Sequence, residues 1–175
     1  MERVVLKLRY YGDPILRRRA MDVLAFDGAL RDLATQMLEA MEREEGVGLA
    51  APQVGLDLRL LVALAMREPG DETAEPVVMV NPEILERSPE SWVYEEGCLS
   101  IPGVRGDVTR PERVRVRYQD VEGKEHTIDA EGMFARILQH EIDHLNGKLF
   151  IDYLSMADKM LIRPKLRSIS KLNDE

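Results

Sequence analysis

Cysteine and histidine are scarce in this chain: 175 residues hold one cysteine, Cys98, and three histidines. A lone cysteine excludes an intrachain disulfide, so Cys98 is either a small buried hydrophobe or a reactive or ligating thiolate. No apolar run approaches the length of a transmembrane helix. The segment Met1–Tyr11 alternates charged and apolar residues and lacks the uninterrupted apolar core of a signal peptide, so a cytoplasmic protein with no membrane attachment is expected. Positive charge is in deficit. The net charge is −8, and the bulk surface should not favour DNA or other nucleic acid. No internal repeat or low-complexity segment breaks the chain.

What is present suits one domain with a sizeable core. The most informative stretch is Gln139-His140-Glu141-Ile142-Asp143-His144, a His-Glu-x-x-His pattern. On a helix, residues four apart lie one turn above each other on the same face, so His140 and His144 can hold one metal ion together. Glu141 lies roughly 100° round the helix, at the edge of that face, where it can reach a water on the metal without being a ligand. Met133 and Ile137 continue the histidine stripe and should floor an internal pocket. Phe134, Leu138, Ile142 and Leu145 form a second apolar stripe, so the helix should be buried. Asn146-Gly147 is its stop signal. The plain alternative is a pair of satisfied core histidines.

The remaining elements can be placed around this helix. Residues 1–26 read as irregular, with a turn at Tyr11-Gly12-Asp13-Pro14 and a basic run, Arg17-Arg18-Arg19, that is most simply solvated surface. Asp27 is a helix N-cap, followed by apolar residues at helical spacing up to Gly46, which should end the helix. The stretch Gly46-Val47-Gly48-Leu49-Ala50-Ala51-Pro52-Gln53-Val54-Gly55 is rich in small residues, and such a backbone can approach another group closely. No Gly-Lys-Ser/Thr follows, so it is not a phosphate-binding loop, and Gln53 supplies an amide with two donors.

Strands are predicted at Arg59–Leu64 and at Val77–Val80, the latter closed by Asn81-Pro82. Ile84–Glu86 and Ser91–Glu95 should form a further pair. Arg113–Tyr118 and Lys124–Asp129 should form a hairpin leading into the histidine helix. Ser155 with Asp158 resembles a helix start, and Pro164 should kink or stop that last helix.

Two histidines do not make a stable catalytic metal site, which usually has three protein ligands. None of the acids after His144 suits the role of third ligand. Phe150 occupies the position where one protease group carries a third histidine, and His126 sits in a charged strand. Cys98, which follows a glycine, remains. A thiolate with two imidazoles suits Zn²⁺ or Fe²⁺ far better than Mg²⁺ or Ca²⁺.

Three separated motifs, Gly46-Val47-Gly48-Leu49-Ala50-Ala51-Pro52-Gln53, Glu96-Gly97-Cys98-Leu99-Ser100 and Gln139–His144, together resemble those of the peptide deformylase family in order and approximate spacing. Gly12-Asp13-Pro14-Ile15-Leu16 resembles that family's N-terminal segment. The resemblance implies an α+β single domain in which antiparallel strands surround a central metal-binding helix. It implies a catalytic domain over residues 1–155 and a C-terminal helix or tail over 156–175. The implied activity is removal of the N-formyl group from N-formylmethionine of nascent polypeptides, releasing formate, by a metal-activated water with Glu141 as general acid/base. Cys98, His140 and His144 are the implied metal ligands. The implied metal is Fe²⁺, with Zn²⁺, Ni²⁺ or Co²⁺ able to replace it.

The Gln53 side chain and the Leu99 backbone N–H are the implied oxyanion donors. Val47 and Gly48 should pair with an extended peptide as an added strand does. Tyr94, Arg105, Met133 and Ile137 should line a methionine-sized pocket. The basic run Lys159–Lys171 carries no acid. Its plain reading is a solvated face, and contact with ribosomal RNA is the alternative. Two competing functions remain at this stage: a His-Glu-x-x-His metalloendopeptidase, and a non-catalytic, metal-stabilised binding protein of the same fold.

Overall fold

The computed structural model describes residues 5–175; the first four residues, part of the stretch expected to be irregular, lie outside the described residues. The remainder of that stretch is irregular apart from a 3-10 turn at Pro14–Arg17 and an isolated bridge from Met21 to Leu58.

Helix α1 spans Gly28–Arg43, and the Asp27 side chain caps it by accepting from the Leu30 N–H at 3.0 Å. The residue that ends it differs from expectation. Glu45 takes the left-handed conformation (φ +56°), and the Gly46 N–H closes back onto the Met41 carbonyl at 2.9 Å. Gly46 is small for another reason: a Cβ there would meet the Leu99 side chain at 2.8 Å.

Five antiparallel strands form the larger sheet, in spatial order β1 (Gly48–Ala50), β2 (Leu60–Leu64), β3 (Pro76–Arg87), β6 (Arg113–Gln119) and β7 (Glu125–Glu131). The expected hairpin is β6–β7. Strand β3 is longer than expected. Asn81-Pro82 does not close it, because the pairing with β6 shifts register between Val80 and Glu83 and so takes up the residue that cannot join the ladder. Asn81 (φ +51°) is pinned there by its side chain, which bonds both the N–H and the carbonyl of Val23.

Ile84–Glu86 and Ser91–Glu95 do not pair with each other. The first belongs to β3 and pairs with β6. The second belongs to β4 (Ser91–Cys98), which forms a separate hairpin with β5 (Ile101–Pro111). Short-range patterning locates strands but not their partners.

Helix α2 (Gly132–Leu145) lies between the two sheets. Ala135, Leu138, Ile142 and Leu145 pack into the core under β2, β3, β6 and β7. The opposite face carries Arg136 and His140 to the β4–β5 hairpin, where Arg136 Nη1 donates to the Val108 carbonyl at 2.9 Å. Gly147 (φ +75°) ends α2, with the Lys148 N–H on the Asp143 carbonyl at 2.9 Å.

Helix α3 (Met156–Ser170) starts at Ser155, whose hydroxyl accepts from the Asp158 N–H. It does not stop at Pro164. The proline leaves the Met160 carbonyl without its helical donor, but Leu166 and Ile169 beyond it are buried against Leu16, Val104 and Leu154. That apolar packing outweighs the one lost bond.

Candidate active site

Glycine first decides how closely the small-residue segment can approach α2. At Gly48 on β1, a Cβ would lie 2.9 Å from Glu141 Cγ and 3.1 Å from Ile137 Cγ2. Strand β1 is an edge of its sheet, so its free side faces the site with unpaired backbone groups. The 3-10 turn at Ala51–Val54 then turns Gln53 inward, where it is 1% exposed. Gln53 Oε1 accepts from the Ala50 N–H at 2.9 Å, which fixes the amide so that Nε2 faces Cys98 Sγ (3.4 Å) and Ser100 Oγ (3.2 Å).

Cys98 comes from the end of β4, where the register with β5 slips between Gly97 and Cys98. His144 Nε2 stands 3.4 Å from its sulfur. The sulfur and one ring nitrogen each of His140 and His144 lie within 4.8 Å of one another. The structure therefore brings together residues more than forty positions apart in sequence.

Beneath them is a layer of charge that sequence reasoning missed. Glu96 is buried and takes four hydrogen bonds. Its Oε1 accepts from His140 Nδ1 (2.9 Å) and Arg110 Nη2 (3.0 Å), and its Oε2 from Arg110 Nε (2.6 Å) and Arg136 Nη1 (2.5 Å). Arg110 also donates to Asp143 Oδ2 at 2.9 Å, as does the Tyr153 hydroxyl at 2.8 Å. Arg136 is sandwiched by its bond to the Trp92 carbonyl and by the Trp92 ring 4.5 Å from its guanidinium carbon. A signal existed: Arg136 precedes His140 by one helical turn, and a buried guanidinium requires an acid.

Burial opposes ionisation of Glu96, but hydrogen bonds from His140 and Arg110 outweigh it and hold the carboxyl well below its usual range. Glu141 has no such partners. Burial pushes it up to about 7, against the opposing charge of His140, and its Oε2 is buried without a hydrogen bond. Burial, then the neighbouring charge of His140, lowers His144 well below its ordinary value and keeps it a neutral donor. At His140 burial is outweighed by hydrogen bonds to Cys98 and Glu96, and the shift is upward. The hole among these donors thus favours a cation, and a sulfur with two imidazoles is a donor set for a transition metal.

Cys98, His140 and Glu141 open onto a cavity of ≈ 550 Å³. Val47, Gly48, Tyr94, Arg105, Met133 and Ile137, all expected around the substrate, line its wall, as do Gln53 and Leu99. Arg105 is held by Glu95, through its carboxylate and its carbonyl, both at 3.0 Å. His126 lies elsewhere, bonded to Asp120 at 2.7 Å and stacked on Tyr118.

A soft three-donor hole, a buried high-pKa carboxyl at its rim and an edge strand beside it are the equipment of a metal-dependent hydrolase acting on an extended peptide. Comparison with known proteins narrows that class. The profile of the polypeptide deformylase family matches residues 5–160. The chain is 48% identical to a peptide deformylase of Cytophaga hutchinsonii over 92% of its length and 88% of that protein's. It is 47% identical to one from Thermotoga neapolitana, covering 94% and 96%. Among solved structures, peptide deformylase from Thermotoga maritima superposes with a TM-score of 0.81 at 44% identity, covering 87% of this chain and 99% of that one. Peptide deformylase from Plasmodium falciparum gives a TM-score of 0.86 at 41% identity, covering 93% and 94%. The chain belongs to the polypeptide deformylase family. It is a metal-dependent enzyme that removes the N-formyl group from nascent peptides.

Proposed function

We propose that Cys98, His140 and His144 hold the catalytic metal, that Glu141 moves the proton, and that Gln53 Nε2 and the Leu99 N–H bind the formyl oxygen. The observation that carries this reading is the pairing of one donor-rich hole with one buried, unpartnered carboxyl oxygen, Glu141 Oε2. We assign the metal as Fe²⁺, with Zn²⁺, Ni²⁺ and Co²⁺ as substitutes, because a thiolate and two imidazoles are soft to borderline donors. Bound there, the metal supplies Lewis-acid polarisation and lowers the pKa of a coordinated water.

The chain's own groups do the rest. Gly48 on the free edge of β1, with Val47 just before it, pairs with the substrate backbone and aligns its formyl end with the hole. Tyr94, Arg105, Met133 and Ile137 take the methionine side chain. Glu141, poised near neutrality, accepts the proton of the attacking water. Charge developing on the formyl oxygen meets the Gln53 amide, whose orientation is already fixed by the Ala50 N–H, so no reorganisation is needed. Glu141 then delivers its proton to the departing nitrogen as the C–N bond breaks, leaving formate and a free amino terminus.

We infer a cytoplasmic setting, since the substrate is a nascent chain. Among the described residues no helix is long and apolar enough to cross a membrane. Residues 1–155 form the catalytic domain in this reading, and 156–175 a C-terminal helix and tail whose basic residues contact the ribosome. Arg163 and Arg167 are exposed on α3, which supports the contact. Replacing Arg163 and Arg167 by Gln should reduce co-sedimentation with ribosomes; unchanged co-sedimentation would remove the contact from the proposal.

The central test is formate release from a formyl-Met tripeptide by protein purified anaerobically and loaded with Fe²⁺ or Ni²⁺. Glu141→Ala should keep its metal and lose about 10²–10⁴-fold in turnover. Parallel loss of metal and turnover would make Glu141 structural instead. An unformylated peptide should not be cleaved, which separates this reading from an endopeptidase.

A further inference from the structure

Helix α2 has a second cavity behind it. The first lies on the side of His140; Ile142, roughly 200° further round the helix, lines the second. This second cavity has a volume of ≈ 770 Å³, and no residue lines both. Three arginines line it from different elements: Arg19 from the N-terminal segment, Arg59 immediately before β2 and Arg87 at the end of β3.

Charge in this cavity is unbalanced. Two acids also line it, Asp22 and Glu83. Glu83 is committed elsewhere, its Oε2 accepting from Arg117 Nη2 at 2.7 Å. Asp22 is largely exposed and comes no closer than 3.8 Å to Arg59 Nε. Among the described residues, Arg19 and Arg87 have no carboxylate partner, and Arg19 makes only a long contact of 3.5 Å with the Ala20 carbonyl. Arg59 is 6% exposed. Burial, then the nearby charge of Arg19, depresses its pKa against the weaker opposing charges of Asp22 and Glu83. Like charges held together at a buried guanidinium, in a chain of net charge −8, create a local demand for an anion.

The basic run Arg17-Arg18-Arg19 resolves into two functions in the fold. Arg17 is taken by a bidentate pair with Asp152 at 2.8 and 3.1 Å. Arg19 points its charge at the cavity instead. Asn146 adds an amide at the cavity floor: its Oδ1 accepts from Arg59 Nη2 at 3.0 Å, leaving its NH₂ as a further donor. Phe26 and Ile84 give the wall an apolar face. Arg59 also donates to the Leu145 carbonyl at 2.8 Å, so the same guanidinium caps the C-terminal end of the helix that carries His140, Glu141 and His144.

We propose that this cavity is a second ligand site, for a small polyanion of the phosphate class, bound by Arg19, Arg59 and Arg87 against the end of α2. The planar forks of three arginines match the oxygens of a phosphate group. The chemistry is shared by free phosphate and by the phosphate of a nucleotide, whose base the apolar wall would accept.

The test is isothermal titration of the metal-loaded protein at low salt with inorganic phosphate and, separately, with AMP. Both should bind saturably, one per chain, if the phosphate group suffices; binding of AMP alone assigns the site to a nucleotide. The variant is Arg19→Gln with Arg87→Gln, both exposed and away from the core, so folding should be unaffected. Binding should weaken at least about tenfold, the loss expected for a charge-assisted hydrogen bond, while formate release without the anion stays at the parent rate. No saturable binding by the parent protein, or equal binding by the double variant, would overturn the proposal.

Discussion

His140 Nδ1 donates to Glu96 Oε1 at 2.9 Å, and this bond decides which ring nitrogen is left for the donor hole. With a proton held on Nδ1, Nε2 is the nitrogen that faces Cys98 and His144 and would offer its lone pair to a metal. Glu96 can hold that proton as an ionised acceptor because Arg110 and Arg136 neutralise it in turn.

Removing Glu96 should therefore cost twice. Glu96→Ala leaves the buried Arg136 without a carboxylate and Arg110 with Asp143 alone, which destabilises the fold by about 3–5 kcal/mol. It also frees the His140 ring, lowering metal affinity about 10–100-fold. Urea unfolding reads the first effect and competition with a chelator the second. Glu96→Gln, which keeps an acceptor for His140, should recover part of the metal affinity but little of the stability. Equal recovery of both would contradict a separate orienting role.

Cys98→Ala should abolish stoichiometric metal binding, measured by elemental analysis after gel filtration. Two imidazoles alone leave the hole one donor short of a three-ligand site. Retention of one metal per chain would remove Cys98 from the ligand set.

Gly48→Ala introduces a methyl group 2.9 Å from Glu141 Cγ. Neither β1 nor α2 can retreat freely, since both are packed in the core. Turnover should fall at least about tenfold with metal content unchanged, and stability by about 1–3 kcal/mol. A fully active variant would show that the Glu141 side chain can reposition.

Gln53→Ala removes the proposed oxyanion donor and leaves the Ala50 N–H without its acceptor. The first loss should lower kcat about 10²–10³-fold. The second should lower stability by about 1–3 kcal/mol. A change confined to KM would assign Gln53 to ground-state binding.

Pro164→Ala should stabilise the protein. The new N–H can bond the Met160 carbonyl, a gain of up to about 3 kcal/mol, reduced by about 0.4–1 kcal/mol for the looser unfolded chain. Denaturant midpoints should rise with formate release unchanged. A lower midpoint would mean that the curvature imposed by Pro164 is needed for Leu166 and Ile169 to dock.

The sequence alone located the histidine helix, because four-residue spacing on a 3.6-residue turn leaves the two imidazoles no other face, and because Asp27, Ser155 and Gly147 mark helix ends by local chemistry. It pointed to Glu141 through the His-Glu-x-x-His pattern and to Cys98 by elimination, while the role of Gln53 came only from the family resemblance. It could not show that Ser91–Cys98 turns away from Ile84–Glu86 to make its own hairpin, since strand pairing is chosen by which faces can be buried together. Nor could it show that α3 survives Pro164, where the decisive term is burial of Leu166 and Ile169 against residues far away in the chain.

The charge layer of Glu96, Arg110, Arg136 and Asp143 left only one trace in the sequence, the place of Arg136 one turn before His140. Each residue reads locally as an ordinary surface charge, and only the closing of the β4–β5 hairpin over α2 removes them from water and makes pairing obligatory. Local periodicity thus placed His140, Glu141 and His144 on one helix, while long-range packing set their surroundings and orientation and made the second cavity behind the same helix.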